Sequence, residues 1–314
     1  MSVDSTHPVE STHPVERAHH APYTHWDVPD VEPAGRHEAY GPPSSRWQQY
    51  LAITGRALAE RLRSLIGWSV GLVTITAVQL AVYPSVASSA ASWKSMLDAW
   101  PKAFRQAFNI EAYTTGPGFL NAELFSMMFP LVLIAVALGA AAAATAGEEE
   151  RGTADLLLSL PILRGRVLAA KVVAMAVGVV VVMLAAALTI IMGAPLAHLD
   201  VGTADVLAAG ALTALLGLVF GCVGLLLGAL TGKRAAVLGG GIVLAIAAFL
   251  LQILAPMADW LEPWQKTSPF YWALHSDPLI NGIDWGSVGL MVGVGLVLLA
   301  ATAVVFHRRD ISGR

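Results

Sequence analysis

Charge is what this chain has least of. Only 13% of its 314 residues are Asp, Glu, Lys or Arg, while 56% are hydrophobic. Soluble domains carry more charge, and here the apolar residues come in long blocks rather than at alternating or helical spacing. Blocks of about 18 or more apolar residues read as transmembrane helices. Lipid leaves little alternative, because each backbone group must find its partner inside the segment. The expected fold is an all-α polytopic membrane protein. Cysteine is nearly absent as well: the single Cys222 excludes an intramolecular disulfide framework and, set in an apolar run, reads as a packing residue. The first 45 residues lack an apolar core, so no secretory signal is visible and insertion is expected to begin at the first span. Acidic and histidine residues are almost missing at membrane depth. Gln79 and Gln252 are the polar side chains within spans one and five, and Glu123 stands at the outer end of span two. Ion-coupled pathways usually show charge there, so a weakly polar conduit is expected instead.

Six spans are expected, at about 65–83, 124–146, 172–196, 204–230, 235–256 and 285–306. One set of connections and flanks holds Arg46, Arg56, Arg61, Arg63, Arg151, Arg164, Arg166, Lys171, Lys233, Arg234, Arg308, Arg309 and Arg314; the other holds only Lys94, Lys102, Arg105 and Lys266. Basic residues stay on the cytoplasmic side, which places both termini and the loop 147–171 there. Two domains are expected, a tail at 1–45 and a six-span permease domain at 46–314. The tail duplicates Ser5–Glu10 as Ser11–Glu16 and holds His7, His13, His19, His20, His25 and His37. It is too polar to bury a core and reads as disordered, with no closed metal-site spacing. In 46–64, Trp47, Leu51, Thr54, Leu58 and Leu62 recur at helical spacing, and the pattern reaches Leu65. Arg56, Glu60 and Arg63 fall elsewhere, which predicts an amphipathic interfacial helix touching membrane lipids.

The loop 147–171 is the most distinctive segment. Thr153 can cap a short helix over 154–160, with Asp155 in its favourable first turn and Pro161 ending it. Leu156, Leu157, Leu158 and Leu160 are too many apolar side chains for a helix bathed only in water. They dock on membrane, on neighbouring spans or on another protein, and an ordinary interfacial loop fits as well. The stretch Gly228–Arg234 imitates a phosphate loop but fails it: three residues separate its glycines, and Arg234 stands where Ser or Thr would meet magnesium. Span four repeats Gly217, Gly221, Gly224, Gly228 and Gly232, spacing that permits close helix approach in lipid; simple intrachain packing is the plainer account. Trp93, Leu97, Trp100, Phe104 and Phe108 form an aromatic stripe with Pro101 expected to split it. The stripe reads as an external interfacial helix or, alternatively, as a lid over an exit path. Residues 257–284 carry Trp260, Trp264, Phe270, Tyr271 and Trp272 among prolines, which fits a belt of interfacial aromatics.

The run Glu150-Arg151-Gly152-Thr153, then Leu156-Leu157, Ser159-Leu160-Pro161, Arg164 and Lys171 resembles the motif of type-2 ABC transporter permeases. The resemblance covers about residues 46–314 and places the motif between the correct two spans. It implies that the loop is a coupling element docking into a cytoplasmic ATPase. Glu148, Glu149, Glu150 and Arg151 would make charged contacts, Leu156 and Leu157 would supply the buried part, and Gly152, Thr153, Pro161 and Arg164 complete the motif. It implies a short re-entrant element in 257–284, export of an amphipathic or hydrophobic cargo (drug, natural product, lipid or glycan), and residence in the plasma or inner membrane. The expected partners are two copies of an ABC ATPase subunit and a second permease copy or paralogue, with no nucleic acid. No cofactor or metal is expected in this chain and no catalysis, since ATP and Mg would be held by the ATPase. Two rival classes remain: a scaffold or sensor subunit that moves no cargo, and an ion-coupled carrier, which lacks visible inverted halves.

Overall fold

The computed structural model describes residues 46–107, 112–145 and 164–308, all within the compact unit Ser45–Arg314. The expected tail, 1–45, lies outside the described residues, which contain helices and no strand. In chain order they are α1 (Arg46–Ser88), α2 (Ala90–Asp98), α3 (Lys102–Ala107), α4 (Gly116–Leu120), a π-helical turn (Asn121–Phe125), α5 (Met128–Thr145), α6 (Arg164–Gly193), α7 (Thr203–Thr231) and α8 (Arg234–Leu254). A 3-10 turn (Ala255–Met257), α9 (Glu262–Gln265), α10 (Pro269–Leu274), α11 (Pro278–Asn281) and α12 (Trp285–Arg308) follow.

Among the described residues six segments are long and apolar enough to cross a membrane: Ala59–Ser88, Gly116–Thr145, Leu168–Gly193, Thr203–Thr231, Arg234–Met257 and Trp285–Phe306. The protein is therefore a six-span helical membrane protein. Two boundaries differ from expectation. First, α1 runs without a break through residues 64 and 65, where an interfacial helix was expected to hand over to the first span. The only proline inside it is Pro84, so no proline breaks the helix near residue 65. At about 65 Å for its 43 residues, it is longer than a bilayer with its headgroups is thick. Second, the second span begins at Gly116 rather than near 124, because Thr115 accepts the Gly118 amide at 3.2 Å and Pro117 sits in the first turn, where its missing N–H costs nothing.

The core is organised around α7, which packs against α5, α6, α8, α10, α11 and α12. Of its most apolar stretch 72% is buried inside the chain, against 17% for α8 and 11% for α12. The outer helices thus present their apolar faces to lipid or to another subunit. Helix direction follows from the contacts of glycines. A Cβ on Gly178 would meet Leu65 at 3.1 Å and one on Gly193 would meet Leu80 at 2.6 Å. The interval is the same on both helices, so α1 and α6 run parallel. Gly232, left-handed at φ 66°, closes α7 and lets the chain turn straight back into α8. Cys222 is buried, with Gly295 of α12 opposite it.

Residues 257–284 fold back onto the bundle. Phe270 is fully buried between Phe220 and Phe249, at ring distances of 6.0 and 5.4 Å. Ser268 caps the Phe270 amide and donates to the Ala248 carbonyl at 2.9 Å. Trp260, Trp264 and Trp285 remain exposed, as a headgroup belt requires. Asp284 caps α12 by accepting from the Ser287 hydroxyl at 2.7 Å and the amides of Gly286 and Ser287. The Ser287 hydroxyl first, then the Gly286 amide, hold its carboxyl below the usual carboxylate range, with His275 Nε2 at 3.8 Å. A depressed pKa stabilises the fold above the unfolded carboxylate value of about 4 and ceases to do so as pH falls through the lower folded value. Asp284→Ala should therefore lower thermal stability at pH 7, and the gap to the native protein should close below about pH 4; unfolding curves across pH would test this.

Candidate functional site

The end of the bundle that carries the loop is built from three helix ends. Thr145, the last residue of α5, donates its hydroxyl to the Ala141 carbonyl at 2.9 Å. The next-to-last carbonyl, Ala144, accepts from Lys171 Nζ at 2.8 Å. A helix leaves its last carbonyls without intrahelical partners and gathers negative potential there, so a lysine from the start of α6 is well placed. Gly228 of α7 lies directly against Thr145. Arg61 of α1 reaches Gly139 of α5, whose Cβ would come within 3.4 Å of its guanidinium. Lys171, Arg61, Lys233 and Arg234 thus gather at one end of the bundle. Lys171→Met should destabilise the protein by about 1–2 kcal/mol through the lost charge-assisted bond, read as a shift in thermal unfolding in detergent.

Of the residues expected to couple to a partner, Glu148, Glu149, Glu150, Arg151, Gly152, Thr153, Leu156, Leu157 and Pro161 lie outside the described residues. Arg164 opens α6, with its side chain also outside them. The two ends of the loop, Thr145 and Arg164, are described.

The glycines of α7 form a ladder against α5. A Cβ on Gly217 would meet Leu133 Cβ at 3.0 Å, one on Gly221 would meet Ala137 Cβ at 3.1 Å, and one on Gly224 would meet Ala141 Cβ at 2.9 Å. The contact of Gly228 with Thr145 completes it. Residue numbers rise together on both helices, so α5 and α7 run parallel in close approach, the packing that small residues permit in lipid. Met175 of α6 closes the Gly221 rung from the other side, its sulfur 2.7 Å from the Cβ position.

At the opposite end the structure divides the aromatic stripe. Leu97 is buried, and Trp93 packs half-buried against the core with its ring 5.3 Å from that of Tyr113. Trp100 is exposed and meets Phe104 edge-on at 5.1 Å; Phe108 lies outside the described residues. Pro101 separates α2 from α3 as expected, and α3 packs on the Ala255–Met257 turn and α8.

One cluster was not anticipated. Glu123 Oε2 accepts from Gln79 Nε2 at 2.8 Å, and Oε1 accepts from the Tyr113 hydroxyl at 2.6 Å. Three segments meet there: α1, the stretch before α4, and the π-helical turn. That turn is defined by the Ser126 amide bonding the Asn121 carbonyl five residues back, at 2.8 Å, and such turns concentrate at functional sites. In the helical segment that starts at Gly116, Glu123 stands about 10 Å along the axis from the first residue. Burial first, then the bond to Glu123, raise the Tyr113 pKa, so the phenol stays a donor. Two lone polar side chains in successive spans were the available signal. Among the described residues no group of three or more His, Cys, Asp or Glu could hold a metal ion.

A protein-family model described as ABC-2 family transporter protein matches residues 51–311. The chain belongs to that family. The match takes in all six spans and leaves the histidine-rich tail outside. Comparison with curated proteins gives no match. As an ABC-2 family member the chain is a multi-pass membrane component of a transport system, and the loop between α5 and α6, the glycine ladder and the Gln79–Glu123–Tyr113 cluster are its candidate working parts.

Proposed function

We propose that this chain is the permease subunit of an ABC exporter in the plasma or inner membrane, carrying an amphipathic or hydrophobic cargo across. It works as a dimer, with itself or a paralogue, above two ATPase subunits that bind ATP and Mg. The segment 147–171, whose last residues form the first turns of α6, faces the cytosol and is the element the ATPase grips. The observation that best supports this reading is the tie between Lys171 and the Ala144 carbonyl, directly beside the Gly228–Thr145 contact. Force applied to the loop would reach α5 and α6 together and pass along the glycine ladder into α7. Closure of the ATPase dimer would then tilt several spans at once and switch cargo access from one side to the other, a rigid-body transition of packed helices.

The test is purification of the chain from its native membrane in mild detergent, with co-purifying proteins identified by mass spectrometry. A stoichiometric subunit with a true phosphate loop is the expected result. A folded, intact chain that brings no ATPase would overturn the proposal in favour of a scaffold or a secondary carrier.

A further inference from the structure

Glu123 is an acid inside a membrane span whose two described hydrogen-bond partners are both neutral. Gln79 and Tyr113 fix its two oxygens at 2.8 and 2.6 Å but carry no positive charge. Among the described residues no lysine or arginine lies within ion-pair distance of it; Arg105, in α3, pairs with Asp98 at 3.1 Å instead. A partly buried carboxylate within an apolar helical segment is costly unless a cation answers it. Asp200 adds a second acid at this end, its backbone carbonyl 3.0 Å from the Cβ position of Gly116.

The surroundings supply what an organic cation needs. The rings of Trp93, Tyr113, Phe119 and Tyr83 form a chain, with centroids 5.3, 5.5 and 5.3 Å apart in that order. Aromatic faces attract ammonium and delocalised cations, most strongly where water is scarce. An independent observation comes from Thr76, on the face of α1 that carries Gln79, one turn away. Its hydroxyl is fully buried and has no hydrogen-bond partner. Thr145, Thr189, Thr213, Thr231 and Thr302 each donate to the carbonyl four residues earlier, the usual refuge of a helical hydroxyl. A buried hydroxyl left without one is rare and calls for an explanation at this end of the bundle.

We propose that Glu123 is the anionic centre of a binding site for an organic cation, an amphiphile bearing an ammonium or delocalised positive charge. Gln79 and Tyr113 position the carboxylate, and the half-buried rings of Trp93 and Tyr113, backed by Phe119, receive the cation's apolar body. This assignment rests on the exporter reading and names the class of its cargo.

The test uses the full chain purified from its native membrane, with tetraphenylphosphonium as the probe and equilibrium dialysis of the labelled ion as the readout. Saturable binding is expected, weakened at least tenfold by Glu123→Gln and severalfold by Trp93→Leu. The neutral triphenylphosphine oxide should bind the native protein and Glu123→Gln alike. Trp93 is half-buried, so its variant keeps the test open should Glu123→Gln fail to fold. Equal affinity in the native protein and the variants overturns the cation site, as does displacement of the probe by sodium or potassium alone at equal concentration. An ATPase subunit that still co-purifies while cation binding is absent overturns only this assignment; a preparation without any ATPase overturns the exporter reading beneath it.

Discussion

Gly228→Leu should yield little folded protein, while Gly239→Leu, only a few turns away in sequence, should behave like the native chain. The contrast is one of space. Gly228 lies against Thr145, whose hydroxyl is already committed to the Ala141 carbonyl. A side chain there must push α5 and α7 apart at the end where the loop begins. Gly239 has nothing within 4 Å of its Cβ position, so a leucine meets open space. Overpacking a tight contact costs about 1–3 kcal/mol and sometimes more. The cost here falls at the upper end, because the rungs at Gly217, Gly221 and Gly224 prevent the helices from separating locally. Thermal unfolding and monodispersity of the two variants in detergent, expressed side by side, give the answer. Equal behaviour of the pair would mean that the ladder does not hold these helices together.

The second large effect is functional. Glu150→Ala combined with Gly152→Pro should abolish transport while leaving the bundle folded, since both positions belong to the loop rather than to a span. In the proposed assembly the carboxylate contributes a charge-assisted contact to the ATPase, and proline denies the backbone freedom that glycine gives. The partner's basal ATP hydrolysis should persist and its coupling to cargo should fall at least tenfold. Reconstituted liposomes, assayed for ATP turnover and cargo uptake together, separate these quantities. Transport at the native rate in the double variant would refute the coupling role of the loop.

The spans were legible because each is an apolar run closed by punctuation. The fourth was expected at 204–230 and observed as Thr203–Thr231, between Gly202 and Gly232. The second was misjudged at its start. Thr115, Gly116, Pro117 and Gly118 resemble a loop in composition, yet a threonine cap followed by an early proline is also how a helix begins. That misplacement put Glu123 just ahead of the span instead of within the helical segment that begins at Gly116. The π-helical turn has no sequence periodicity of its own, and the partner of Glu123 lies 44 residues away on α1. The glycine spacing of α7 announced close packing but not against what. The answer was present in α5, where Leu133, Ala137, Ala141 and Thr145 recur every four residues, close to the four- and three-residue steps of the glycines. The unbroken α1 was the opposite case: its change of composition near residue 65 suggested a boundary, but composition sets what surrounds a helix, not where it ends.

The bond between Lys171 and the end of α5 also has a mechanical meaning. A loop whose two ends are fastened to each other at the root cannot lengthen under load by letting its ends drift apart. A pull on its tip is shared by both stems instead of being absorbed as slack. The lysine therefore ties the two stems into one unit, so that a load on the connection between them is carried by α5 and α6 jointly.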